Sequence, residues 1–101
     1  MMNNDEPGNR ISAPDMVYWT SLGRTELVEK ALNDGIDANA VDEDGYSALQ
    51  AAAENNHIEI VKLLIGNGAN VDYKGSYTAL ELANMSKNSE VADILKSHGA
   101  K

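Results

Sequence analysis

The chain has 101 residues, room for one domain with a modest core, since a chain this short buries a smaller share of its surface than a long one. Against 8 Lys and Arg stand 16 Asp and Glu, and the formal net charge of −8 repels phosphate backbones and anionic membrane surfaces, so neither nucleic acid nor a membrane is expected as a partner. Cysteine is absent, which excludes disulfides and thiolate metal sites, and no apolar run has signal-peptide or membrane-span length, so the cytoplasm is the default location.

Residues 1–12, MMNNDEPGNRIS, are polar and aperiodic and read as a flexible tail ahead of a folded domain at 13–101. Pro14 to Leu22 reads as a first helix, with proline near its start where a missing N–H costs little, and Gly23 ends it. Thr25 to Asn33 follows as a second helix with Leu27, Val28, Ala31 and Leu32 on one face, and Gly35 stands where a left-handed C-cap is wanted. Ser47-Ala48-Leu49-Gln50 has the pattern of a capping box, in which the serine hydroxyl and the glutamine side chain each satisfy a free backbone N–H. It opens a short helix to about Glu54. Asn55-Asn56 turns the chain, and Ile58 to Ile65 forms the next helix, with Ile60, Val61, Leu63 and Leu64 inward and Gly66 and Gly68 closing it. Thr78-Ala79-Leu80-Glu81 is a second capping box, and Ser89 to Ser97 is the last helix, with Val91, Ile94 and Leu95 inward and Gly99 at its end. The connecting stretches 36–47 and 70–77 have alternating apolar positions with Gly or Asp at the tip, which suits tight hairpin-like excursions.

These segments repeat. Residues 23–40 match 56–73 at an offset of 33, and 77–100 match 46–69 at an offset of 31, so the second excursion is expected to have lost two residues at its tip. Such self-similarity marks a solenoid whose units bury their apolar faces only against their neighbours. The middle unit, G-Y-S-A-L-Q-A-A-A-x-x-N-H-x-x-I-V-x-x-L-L-x-x-G-A-x-V-D over 45–72, closely resembles the ankyrin repeat. The resemblance covers about residues 14–101 and implies an all-α solenoid of three helix-turn-helix repeats with short hairpin-like loops, at about 13–40, 41–73 and 74–101. Two departures stand out. Both capping boxes keep the family's hydroxyl but lose its Pro and His, and the first unit has Pro14-Asp15-Met16-Val17 at the equivalent place. The small pair Ala52-Ala53 becomes Trp19-Thr20 in that unit, where Trp19 either covers an open end of the stack or stacks on a ligand.

Chemistry for catalysis is not legible. His57 matches the family's structural histidine, His98 lies near the last helix end, and neither has a catalytic partner in sequence. Asp42-Glu43-Asp44-Gly45 fails as a calcium loop, because Ala40 and Ala51 fall at the first and last ligand positions. Gly66-Asn67-Gly68 fails as a dinucleotide fingerprint, because it ends a helix and Val71 replaces the third glycine. No catalytic, cofactor-binding or metal-ligating residue and no cofactor are therefore expected, and the chain is read as a non-enzyme.

What remains is a surface. Lys30 and Lys62 bracket an interval with no cation that holds Asp34, Asp37, Asp42, Glu43, Asp44, Glu54 and Glu59, a patch that serves either solubility or the steering of a basic partner. The ankyrin resemblance implies a concave binding face built from loop tips and the solvent side of each first helix. By position it holds Glu43, Asp44, Tyr46, Glu54 and Asn55 from the middle repeat, Tyr77, Met85 and Ser86 from the third, and Ser21 and Leu22 from the first. Tyr46 and Tyr77 are expected about 10 Å apart on that face, whereas Tyr73 is expected to pack on its own loop. The leading expectation is a protein-binding module, monomeric when free, that holds a basic protein partner. Its sharpest form is an inhibitor or immunity protein that neutralises a toxin enzyme. A structural adaptor without inhibitory effect is the alternative, and an enzyme or small-ligand sensor is disfavoured because no convergent polar pocket is visible in sequence.

Overall fold

Helices of seven to nine residues do not persist alone in water, so each one here depends on its caps and its neighbours. The computed structural model describes residues 12–101; the expected tail, Ser12 apart, lies outside the described residues. Six helices follow in order: α1 (Ala13–Ser21), α2 (Thr25–Asn33), α3 (Ala48–Glu54), α4 (Ile58–Gly66), α5 (Ala79–Met85) and α6 (Ser89–Ser97). Both expected capping boxes are complete: Ser47 Oγ accepts from Gln50 N at 3.1 Å and Thr78 Oγ1 accepts from Glu81 N at 3.1 Å, and each acidic or amide partner accepts in return from the cap's own N–H.

A third box opens the fold, and it stands upstream of where the sequence reading put the first helix. Ser12 Oγ accepts from Asp15 N at 3.2 Å, and Asp15 Oδ2 accepts from Ser12 N at 3.2 Å. Helix α1 has 9 residues where α3 and α5 have 7, so its cap falls at Ser12 and not at the aligned Pro14, which sits inside the first turn.

The helices form two layers. α3 packs between α1 and α5, α4 lies behind it between α2 and α6, and each first helix packs on the second helix of its own repeat. The result is an elongated stack of 46 × 23 × 20 Å. Because α3 is covered from both sides and from behind, Ala48 through Ala53 are all buried. Alanines let the neighbouring backbones approach; larger side chains at such sites typically cost about 1–3 kcal/mol in overpacking. The second helices supply the bulk of the core through Val28, Ile60, Val61, Leu64, Val91 and Leu95, while Leu27, Leu32, Leu63 and Ile94 are half-buried. Trp19 is half-buried against the same core. Thr20, where the middle repeat has Ala53, is fully buried with no hydrogen-bond partner for its hydroxyl among the described residues.

Each excursion between repeats closes on a single antiparallel bridge, Val41 with Ser47 and Lys74 with Thr78. The second is two residues shorter, which accounts for the change of repeat offset from 33 to 31. Polar side chains then fasten one repeat to the next. His57 Nε2–H donates to the Ser21 carbonyl at 3.1 Å, and the ring lies so close to Gly23 that a Cβ there would stand 2.7 Å from His57 Cε1. In the third repeat Asn88 takes over this position and donates to the carbonyls of Ala53 at 2.8 Å and Glu54 at 3.1 Å. Nearer the loops, Asn39 Oδ1 accepts from Asn70 N at 2.6 Å and Asn39 Nδ2 donates to the Gly68 carbonyl at 3.3 Å.

Two substitutions check this packing. Leu64→Ala is expected to cost about 2–5 kcal/mol by opening a cavity in the middle repeat, and a urea melt unchanged from the parent would refute the core assignment. Gly23 and Gly35 both have positive φ, +76° and +101°, but only Gly23 has a neighbour in the way of a Cβ. Gly35→Ala should therefore show the left-handed strain alone, about 1–2 kcal/mol, and Gly23→Ala distinctly more. Equal melting shifts would mean that the His57 ring does not depend on the glycine.

Candidate protein-binding face

The first hairpin is organised by Asp42. Its Oδ1 accepts from the N–H groups of Asp44 at 2.9 Å and Tyr46 at 3.0 Å, while Asp42 N donates to the Tyr46 carbonyl at 2.9 Å. A short acceptor of this kind folds the backbone back over two residues, which is why Asp is favoured at such a tip. Glu43 and Asp44 are left exposed at its end.

Tyr46 leads from this hairpin into α3. Its ring is half-buried against the core and its hydroxyl donates to the carboxylate of Glu54, the last residue of α3. Burial first, then that hydrogen bond, then the charges of Glu54 and Asp42 push the phenol well above its ordinary value of 10.0. Tyr46 thus serves the fold as well as the face.

The second hairpin is locked onto the first by two bonds that sequence did not reveal. Gln50, already the partner of Ser47 in its capping box through Oε1 at 2.7 Å, donates from Nε2 to the Tyr77 carbonyl at 2.6 Å. Tyr73 does not pack on its own loop as expected: its hydroxyl reaches back to the Gly45 carbonyl at 2.6 Å, one hairpin upstream. A carbonyl buried by a neighbouring repeat needs such a donor, and a long phenol spans the gap.

Between the two hairpins lies a cleft of about 300 Å³ lined by Asp42, Asp44, Gly45, Tyr46, Gln50, Gly75, Ser76, Tyr77 and Leu82. Asp44, Tyr46 and Tyr77, all expected on the face, meet in it, and Glu54 joins them through the Tyr46 hydroxyl. Tyr77 is 46% exposed. Of the other expected residues, none of which lines the cleft, Glu43 stays at the tip of the first hairpin and the rest sit at the C-terminal ends of the first helices: Ser21 and Leu22 in the first repeat, Asn55 in the second, Met85 and Ser86 in the third. Leu22 and Met85 are exposed, Asn55 donates to the Ala51 carbonyl at 2.9 Å, and Ser21 donates to the Tyr18 carbonyl at 2.7 Å. Tyr18, 62% exposed and four residues before Leu22 on the same helical face, was missed; the i, i+4 spacing was its available signal.

The electrostatics are one-sided. Among the described residues the ion pairs are Lys30–Asp34, Lys74–Glu81 and Lys96–Asp93, all exposed, and none engages Asp42, Glu43, Asp44 or Glu54. Both histidines bond to backbone carbonyls, His57 to Ser21 and His98 Nδ1 to Ile94 at 2.9 Å. No described helix is long and apolar enough to cross a membrane.

The raised phenol carries a check with a definite sign. A group whose folded-state value is raised contributes stability that is complete below its unfolded value, here 10.0, and lost as pH climbs through the folded one. Alkaline titration followed by phenolate absorbance should show a late-ionising component that Tyr46→Phe removes and Glu54→Gln shifts toward 10.0. A late component that survives Tyr46→Phe would contradict the Tyr46–Glu54 bond.

Comparison with known proteins agrees with this architecture. The family described as ankyrin repeats (3 copies) matches residues 16–101. Mask-1 of Caenorhabditis elegans, an ankyrin repeat and KH domain-containing protein, is 38% identical over 88 residues, 84% of this chain and 3% of that protein. Serine/threonine-protein kinase 12 of Arabidopsis thaliana is 35% identical over 88 residues, 85% of this chain and 19% of the kinase. The ankyrin repeat-containing protein P1E11.10 of Schizosaccharomyces pombe is 33% identical over 63 residues, 62% of this chain and 30% of that protein. The chain thus spans less than a third of the length of each of these relatives. It belongs to the ankyrin-repeat family, as a three-repeat protein–protein interaction module.

Proposed function

We propose that this module is non-enzymatic and binds a basic protein through the face made by its two hairpins and the exposed side of its first helices. The observation that carries the reading is the cleft between the hairpins, where Asp42 and Asp44 stand beside Tyr46 and Tyr77 with no Lys, Arg or His in the lining among the described residues. Exposed aromatics beside unpaired acids suit a protein interface, because the rings bury much surface at little rotamer cost and the charges steer the encounter. The large exposed hydrophobics among the described residues, Tyr18, Leu22, Tyr77 and Met85, lie on first helices and the second hairpin. That distribution favours a single partner-facing side over an adaptor that would also need an apolar patch on α2, α4 and α6. In its sharper form the reading makes the chain an inhibitor or immunity protein, which would occlude the working surface of a basic enzyme by the same charge complementarity.

The test is capture of partners from a lysate of the source organism on the immobilised chain, with Asp44→Lys and Tyr77→Ala as controls, followed by an activity assay of whatever is retained. Tyr77 is a cleaner probe than Tyr46 because its side chain has no hydrogen bond to the fold among the described residues. A basic partner should be retained by the parent and lost by both variants, with the charge reversal mainly slowing association at low salt. Retention by both variants, with loss on Lys62→Ala or Lys96→Ala, would move the binding surface elsewhere.

A further inference from the structure

We infer that the cleft between the hairpins is a socket for one arginine side chain of the partner, an inference that rests on the proposed basic partner and names the residue it presents. The charge of the cleft is the first argument. Gln50 commits its Oε1 to Ser47 N and one Nε2–H to the Tyr77 carbonyl, and it brings no charge to the cleft. The Tyr46 proton goes to Glu54, which leaves that phenol oxygen to a further partner as an acceptor. Asp42 uses Oδ1 for two backbone N–H groups, and the Asp44 carboxylate accepts no hydrogen bond among the described residues. Every titratable group among the described lining residues is an acid or a phenol, and a positively charged group with several donors complements those carboxylates.

Shape and surface then separate arginine from lysine. The exposed Tyr77 ring and the side chain of Leu82 give the cleft an apolar, partly aromatic wall. A guanidinium stacks flat on such a ring while its edge N–H groups reach carboxylates, whereas an ammonium is a compact, strongly hydrated point charge that leaves water less readily. At about 300 Å³ the cleft is at the small end of ligand-sized clefts, suited to one long side chain from an extended or looped segment and too small for a helix.

The probes are N-acetyl-arginine methylamide and its lysine counterpart, titrated in the millimolar range while the amide resonances of Gly45, Gly75, Ser76 and Tyr77 are followed by NMR. The arginine probe should shift these amides saturably and bind about threefold or more tightly than the lysine probe. Tyr77→Ala should abolish that preference, Tyr77→Phe should keep it, and Asp44→Asn should weaken both probes, with the remaining amide spectrum reporting an intact fold. Equal affinity for the two probes, or no saturable shift with either, would overturn the socket. A lysine-rich peptide added to the same samples reads the broader claim separately. Salt-sensitive shifts at Glu43, Asp44 and Glu54 sustain a basic partner even if the socket fails, and no shift at any salt concentration overturns both.

Discussion

The rest of the molecule depends on one constraint: a seven-residue helix is stable only when wrapped on all sides by its neighbours. Helix α3 meets that constraint with a run of alanines, Ala48 and Ala51 to Ala53, which let α1, α4 and α5 come close enough to bury the helix almost whole. The large side chains, Ile60, Val61 and Leu64, sit on the second helix, where the layer behind has room for them. Glycine enters the same logic at Gly23, which keeps a Cβ out of the path of His57 so that the ring can reach the Ser21 carbonyl.

The polar groups that fasten the repeats are the ones that shape the candidate face. Gln50 caps its own helix and holds the backbone of Tyr77; Tyr73 holds the backbone of Gly45; Glu54 fixes the Tyr46 phenol. The Gln50 and Tyr73 bonds satisfy part-buried carbonyls, and a buried carbonyl left unpaired typically costs about 1–3 kcal/mol. The cleft is lined by carboxylates, an accepting phenol oxygen and an aromatic wall, and the bonds from Gln50 and Tyr73 hold its two hairpins together. Preorganisation of this kind lowers the ordering cost of binding, since the two hairpins need not find their relative position when a partner arrives.

Much of this was legible in the residues. The helices, two of the three capping boxes and the clipped second hairpin follow from periodicity and cap chemistry, which act within a few positions, whereas the grouping of Asp44, Tyr46 and Tyr77 on one face came from the resemblance to ankyrin repeats. The misses are long-range or depend on a change of length. Ser12 was assigned to the tail because α1 is two residues longer than its counterparts, so the repeat alignment pointed to Pro14. Tyr73 was assigned to its own loop because the carbonyl it serves is 28 positions away in sequence. Asn88 carries no sign that it does the work of His57, since the two share position and reach but not residue type. The cleft itself needed the two hairpins placed side by side, and no pattern within either one foretells it.

If the repeats stand only through their interfaces, the chain has one unfolding transition. Trp19, the single tryptophan, reports on the first repeat, and the amides of Val91 and Leu95 report on the third. Urea unfolding followed by Trp19 fluorescence and by the amide resonances of α6 in the same samples measures both ends of the stack at once. Coincident midpoints and slopes are the predicted result. A third repeat that melts at lower urea while Trp19 stays native would show that α5 and α6 are not held by the Gln50, Tyr73 and Asn88 bonds, and the cleft would lose its second wall.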